Sequence, residues 1–218
     1  MDDVEVASRA NAEKPGEVER VYQLLKNWLI DCVLEPGSYL SEVELARRCQ
    51  TSRTPVREAC NRLSQERWID RIRNKGYRVR PVSVREILEL YEFRRVLECF
   101  AAEKVAQVAT APMLEELADI IAVENTMREP GPEFLAANER FHLRMAELSG
   151  NPLILAQLKL TLEYVHRIDK YSQTKSLQWL PHGQILRALA AHDDAASREA
   201  MAVHIDLSRD RMLKLFGS

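Results

Sequence analysis

Apolar residues recur at helical spacing along most of this chain, and only one short stretch alternates. From Glu17 to Leu34, the positions Val21, Leu24, Leu25, Trp28, Leu29 and Cys32 share one helix face, and Pro36-Gly37 stops the helix. Ser41-Glu42-Val43-Glu44 reads as a capping box, with Ser41 accepting from the first turn while Glu44 reaches back. It opens a short second helix through Leu45 to Cys49. A third begins at Ser52 or Thr54, with Pro55 in its first turn, where a missing N–H costs nothing. Val56, Ala59, Cys60 and Leu63 form its apolar stripe. Two short helices with a tight connection, the second apolar on its inner face, predict a helix-turn-helix. Next, Trp68–Ile72 and Tyr77–Arg80 flank Arg73-Asn74-Lys75-Gly76, and the alternation after the Asn and Gly predicts a β-hairpin. A basic hairpin behind a helix-turn-helix is a wing.

Pro81 breaks the second strand, and Ser83-Val84-Arg85-Glu86 is a further capping box. Beyond it the pattern is helical throughout, with spans near Val84–Ala109, Pro112–Arg128, Pro132–Ser149, Pro152–Tyr171, Leu177–Ala191 and Ala195–Phe216. Gly150-Asn151-Pro152 ends one helix and starts the next. The expectation is a mainly α protein, a winged helix-turn-helix followed by an all-α six-helix bundle. Its parts are a flexible arm over 1–15, the DNA-binding domain over 16–80, a linker over 81–83, and a helical bundle over 84–218, to which only a family resemblance adds ligand binding and dimerisation.

Composition adds little to this until charge is divided by segment. The 218 residues are 46% hydrophobic and 29% charged with a net charge of −2, which suits a globular chain and gives no overall sign of nucleic acid. Yet Ser41–Arg80 carries 11 Lys and Arg against 5 Asp and Glu, while the segments on either side are each net acidic. A basic block confined to the helix-turn-helix and wing suggests a phosphate-binding surface. No apolar run approaches the roughly 20 residues that span a bilayer, and the acidic N-terminus does not read as a signal peptide. Cys32, Cys49, Cys60 and Cys99 are scattered, without a C-x-x-C pair, so neither a disulfide framework nor a cysteine zinc site is indicated. A cytoplasmic setting with no membrane contact is expected.

On the third helix, Arg53 and Arg57 lie one turn apart, away from the apolar stripe. Arginine there can fork two hydrogen bonds onto guanine O6 and N7. Thr51, Ser52 and Thr54, at the positive end of the helix, can bind phosphate oxygens. Lys75 and Gly76 at the wing tip can approach the backbone or the minor groove. The stretch Leu40–Ala46, then Ser52-Arg53-Thr54-Pro55-Val56-Arg57-Glu58-Ala59, then Leu63 and the Asn74–Val79 wing closely resembles the GntR family. The resemblance implies dimers on palindromic double-stranded operators, with contacts from Ser52, Arg53, Thr54, Arg57 and Gly76. Val43 stands where some relatives carry an arginine, and Arg67 where a glycine usually precedes Trp68.

All five histidines (His142, His166, His182, His192 and His204) fall in the bundle. Asn138 and His142 share a helix face, and imidazoles suit zinc, nickel and related metals, but spacing alone does not say which histidines converge. Glu92–Glu98, Asn138–His142 through Ser149-Gly150-Asn151, His182 and His204 look like the ligand-binding bundle of the FadR subfamily (FCD type), and six helices resemble its VanR-like branch. That resemblance implies a divalent metal on Asn138, His142, His182 and His204, with Asn138 replacing the more usual Asp. It also implies that Arg94 helps bind a small carboxylate effector; the alternative for Arg94 is an ion pair with Glu98 or another bundle carboxylate. His166 and His192 have no counterpart and are expected to be structural.

The resulting expectation is a metabolite-responsive transcriptional repressor, not an enzyme. Two rivals remain open on the residues: a metal-dependent hydrolase built on the bundle and a nonspecific architectural DNA binder. Against the first, the chain has no H-E-x-x-H, G-x-S-x-G or phosphate-loop motif.

Overall fold

The computed structural model describes residues 16–126, 132–172 and 182–216. The chain divides into two compact units, one containing Gly37–Arg80 and the residues up to Leu29, the other Ile30–Pro36 and the chain from Pro81 onward.

In the first unit, α1 (Glu17–Ile30), α2 (Glu42–Arg48) and α3 (Arg53–Gln65) accompany a three-stranded antiparallel sheet. The expected helix to Leu34 ends four residues early, because Cys32 takes φ 56°, which a right-handed helix cannot contain. Ser41 caps α2 by accepting from the Glu44 N–H at 3.1 Å. The return half of the expected box does not form; the Glu44 carboxylate turns to Arg47 instead, at 2.8 Å. Val56, Ala59, Cys60 and Leu63 are buried with Leu25, Leu29 and Trp68, so the stripe read from the sequence is the inner face of α3.

The sheet has the order β1-β3-β2, with β1 (Tyr39–Leu40), β2 (Ile69–Ile72) and β3 (Gly76–Val79). The hairpin register pairs Ile69 with Val79 and Ile72 with Gly76. β1, which pairs Leu40 with Tyr77, was not expected; two residues are too few to show an alternation. Gly76 has φ 89°, and a Cβ there would run into the Leu40 carbonyl oxygen. Glycine is therefore what lets β1 lie against the hairpin.

The second unit consists of α4 (Val84–Val108), α5 (Ala111–Thr126), α6 (Pro132–Leu148), α7 (Pro152–Tyr171), α8 (Gly183–Ala190) and α9 (Asp194–Phe216). The expected ends of α5 at Arg128 and of α8 at Leu177 fall outside the described residues. Ser83 caps α4 through the Glu86 N–H, and Asn151 caps α7 through the Leu153 and Ile154 N–H groups. α4 is the central helix and packs on α6, α7, α8 and α9. Ala101, Ala102 and Ala106 leave room for close approach, while Ile87, Tyr91, Phe141, Met145, Ile205 and Met212 fill the core. No helix among the described residues is long and apolar enough to cross a membrane.

Candidate nucleic-acid interface and metal centre

The first unit carries its charge on the outer side of α3. Ser52 is the N-cap residue, yet its hydroxyl makes no capping hydrogen bond. The early N–H groups of α3 and this hydroxyl together suit a phosphate oxygen. Arg53, Thr54 and Arg57 are exposed along the first turns, opposite the buried stripe. Neither arginine is loose. Glu42, at the start of α2, takes a forked pair from Arg57 (Nε to Oε1 3.0 Å, Nη2 to Oε2 2.7 Å) and lies 3.4 Å from Arg53 Nη2. The hydrogen bonds from Arg57 and then Arg53 hold the Glu42 carboxyl below its ordinary range.

Lys75 is exposed at the hairpin tip, where its N–H closes the turn on the Ile72 carbonyl at 3.1 Å. Gly76 is less open: the Leu40 backbone, and not only a groove of DNA, accounts for the absence of a side chain there. Val43 is exposed, while Arg67 takes φ 65°, a left-handed conformation that glycine would adopt with less strain.

In the second unit, three histidines from three helices meet. His142 comes from α6, His182 sits at the N-cap position of α8 without a capping hydrogen bond, and His204 comes from α9. All three are buried, and their candidate ligand atoms lie within 4.8 Å of one another. The Nε2 atoms of His142 and His182 are 3.3 Å apart. Two imidazoles on one metal, each bound at roughly 2.0–2.1 Å, stand at about this separation. Burial, followed by the neighbouring His142 and Arg94, pushes the His182 pKa well down. Burial and then His182 do the same for His204, so both rings are uncharged near neutrality, the form that ligates metals. His204 Nδ1 is buried with no hydrogen-bond partner among the described residues. An orphaned imidazole nitrogen beside two more imidazoles is the chemistry a divalent metal would satisfy, and the residues fit one.

Asn138, one turn before His142, is half-buried and borders the same small cavity of about 40 Å³ as His142, His204 and Arg94. Glu98, which the pattern did not single out as functional, stands behind the cluster. Its Oε2 faces His142 Nδ1, and its Oε1 accepts from Arg94 Nε at 2.7 Å. Such a carboxylate fixes the ring so that Nε2 faces His182, the side on which a metal would be held. Burial raises the Glu98 pKa, but Arg94 and then His142 outweigh it and hold the group down at about 2. Arg94 thus does two things: it forms the ion pair weighed as the alternative, and it borders the cavity.

Further along that cavity lie Tyr91, Asp169, Ser208 and Arg211, none of which the sequence pattern marked. His192 plays a structural part, with Nδ1 3.0 Å from the Ala106 carbonyl oxygen. His166 is half-buried on α7.

A model of bacterial regulatory proteins of the gntR family matches residues 17–79, and one of the FCD domain matches residues 89–207. The chain belongs to the GntR family. This GntR-family regulator is 31% identical to the Nta operon transcriptional regulator of Aminobacter aminovorans, over 83% of this chain and 87% of that one. It is 26% identical to the HTH-type transcriptional repressor RspR of Escherichia coli K12, over 92% of this chain and 90% of the relative. Among solved structures, E. coli McbR/YncC shares the fold at a TM-score of 0.71 and 20% identity, covering 94% of this chain and 100% of the other. The regulator is accordingly a DNA-binding transcription factor, with a GntR helix-turn-helix domain joined to a helical FCD domain.

Proposed function

We propose that this regulator is a dimeric, metal-containing sensor of a small organic acid, and that it represses genes beside a palindromic operator. The observation that carries the reading is the convergence of His142, His182 and His204 with Glu98 and Arg94 behind them. A divalent ion, zinc or nickel by ligand type, would be held there by the three imidazoles, with the Asn138 oxygen as the fourth ligand. When bound, it supplies a Lewis-acid position for a carboxylate oxygen. Because Asn138 brings no charge, the site retains one more positive charge than an Asp would leave, which favours an anionic ligand. Arg94, already ordered by Glu98, presents its remaining N–H groups to that anion.

Ser52 and Thr54 hold phosphates, Arg53 and Arg57 read bases, and Lys75 with Gly76 lies along the backbone or minor groove. The subfamily is FadR-like and the branch VanR-like, by bundle length. The dimer forms through the outer face of α4, where Phe93, Val96 and Phe100 are exposed beside an open groove of about 610 Å³. An acid that binds one arrangement of the dimer better shifts the operator-competent population. The relatives named as repressors, RspR and the Bacillus subtilis gluconate operon repressor, make repression the expected sign.

Selection of genomic fragments on the purified protein tests the reading. One enriched palindrome, released by an acid in the metal-loaded protein and not after chelation, is the expected outcome. Retention of all fragments alike, vanishing with salt, would reduce the protein to a nonspecific binder.

A further inference from the structure

The cavity beside the three histidines has a second polar end. Asp169 from α7, Tyr91 from α4, and Ser208 and Arg211 from α9 border it, with Arg94 bordering it as well. Tyr91 Oη and Ser208 Oγ are hydrogen-bonded to each other at 3.2 Å, and Arg211 Nη2 stands 3.5 Å from the same Ser208 oxygen. Asp169 differs from its neighbours. Its Oδ1 is shut off from solvent and accepts no hydrogen bond among the described residues. Burial raises the pKa of this carboxyl, the charges of Arg211 and Arg94 offset only part of that, and neither guanidinium donates to the Oδ1 atom. A buried carboxylate oxygen without a donor is costly, and a site bordering a cavity can recover that cost from a ligand.

Resting on the sensing reading above, we propose that Asp169 is a specificity residue: the effector is a small carboxylic acid bearing an O–H or N–H donor, which Asp169 accepts while the carboxylate end lies toward Arg94 and the histidines. The other groups narrow the class. Arg94 and Arg211 are both cationic and Glu98 is engaged by Arg94 and His142, so Asp169 is the carboxylate bordering the cavity that is left for a ligand donor. Space of about 40 Å³ accommodates only a few non-hydrogen atoms, which excludes long-chain acids unless side chains move. The class is therefore a short hydroxy acid or amino acid, not a plain fatty acid or an extended dicarboxylate.

The test uses the full-length, nickel-loaded protein and matched short acids: propionate, lactate, alanine and malonate. Isothermal titration supplies the affinities, and thermal shifts supply a second readout. Lactate or alanine is expected to bind at least about tenfold more tightly than propionate, because a site built around an acceptor rejects the analogue lacking the donor. Which of the two leads decides between hydroxyl and ammonium. In Asp169→Asn, which keeps the shape and removes the charge, that preference falls several-fold while propionate binding changes by less than about threefold. Equal binding of propionate and lactate or alanine by the wild type overturns the assignment whatever the variant does, and so does a preference for malonate. These results leave the sensing reading intact. If no acid in the set binds although nickel is held, the short hydroxy or amino acid is overturned too, and the sensing reading then stands or falls on the operator-release experiment.

Discussion

Replacing Glu98 by Gln removes one negative charge from between Arg94 and His142 and almost no volume. The side chains of Glu98 and Arg94 are 2% and 4% exposed, and their closest atoms lie 2.7 Å apart. At that separation and an effective dielectric near 20, the attraction is about 6 kcal/mol. The amide oxygen of Gln still accepts from Arg94, so part survives. Breaking a buried pair by neutralising one partner costs about 3–5 kcal/mol, because the remaining guanidinium stays in the protein without its counter-charge. The metal-free Glu98→Gln protein should therefore lose about 3 kcal/mol or more in urea melts followed by circular dichroism. The same change loosens His142, and loss of such a backing carboxylate weakens metal affinity about 10–100-fold, measurable by chelator competition. The two readouts separate the roles. A variant within about 1 kcal/mol of the wild type, holding metal equally well, would refute the claim that Glu98 organises this centre.

Gly76→Ala should destabilise the first unit by about 2 kcal/mol or more, since it adds a left-handed alanine and a clash with the Leu40 carbonyl; a thermal melt unchanged within error would contradict the pairing of β1. Arg57→Ala should weaken operator binding by about 1–3 kcal/mol and relax selectivity at one base pair, read by fluorescence anisotropy on matched operators. For Glu42 the folded pKa is depressed below the ordinary 4.5, so its stabilising effect is complete above that value and is lost as pH falls through the lower folded one. An NMR titration of its side-chain carbonyl should give a midpoint below 4.5 that rises in Arg57→Ala; an ordinary midpoint in both would remove the clamp. Val96→Glu, on the 68%-exposed centre of the α4 outer stripe, should raise the dimer dissociation constant by at least about tenfold in sedimentation experiments, and an unaltered constant would move the interface elsewhere.

What could be read in advance follows from the range of each interaction. The α3 stripe, the Ser41 and Ser83 caps, the Gly150-Asn151-Pro152 break and the hairpin turn all act within a few residues, so spacing reveals them. β1 could not be anticipated, because its evidence is a partner strand nearly forty residues away. The histidine trio needed the family resemblance: His142, His182 and His204 lie on separate helices, and no periodicity links them. Glu98 and Arg94 formed a visible i, i+4 pair, but nothing local shows that the carboxylate also meets His142 on α6. Asp169 looked like one more charge on a helix until α4, α7 and α9 enclosed it.

The Glu42 clamp has a consequence for how the protein travels along DNA. With two cations of α3 partly neutralised from within, the reading surface grips an arbitrary phosphate backbone less strongly than its arginine count suggests. Weaker indiscriminate attraction means shorter stays at wrong sequences and a shallower dependence of stray binding on salt. On the proposed reading, the guanidinium of Arg57 is already oriented by Glu42 before it meets a base, so little of its rotational freedom remains to be lost. On that reading, the Glu42 carboxylate would trade residence on bulk chromosome for faster sampling and sharper arrest at the operator.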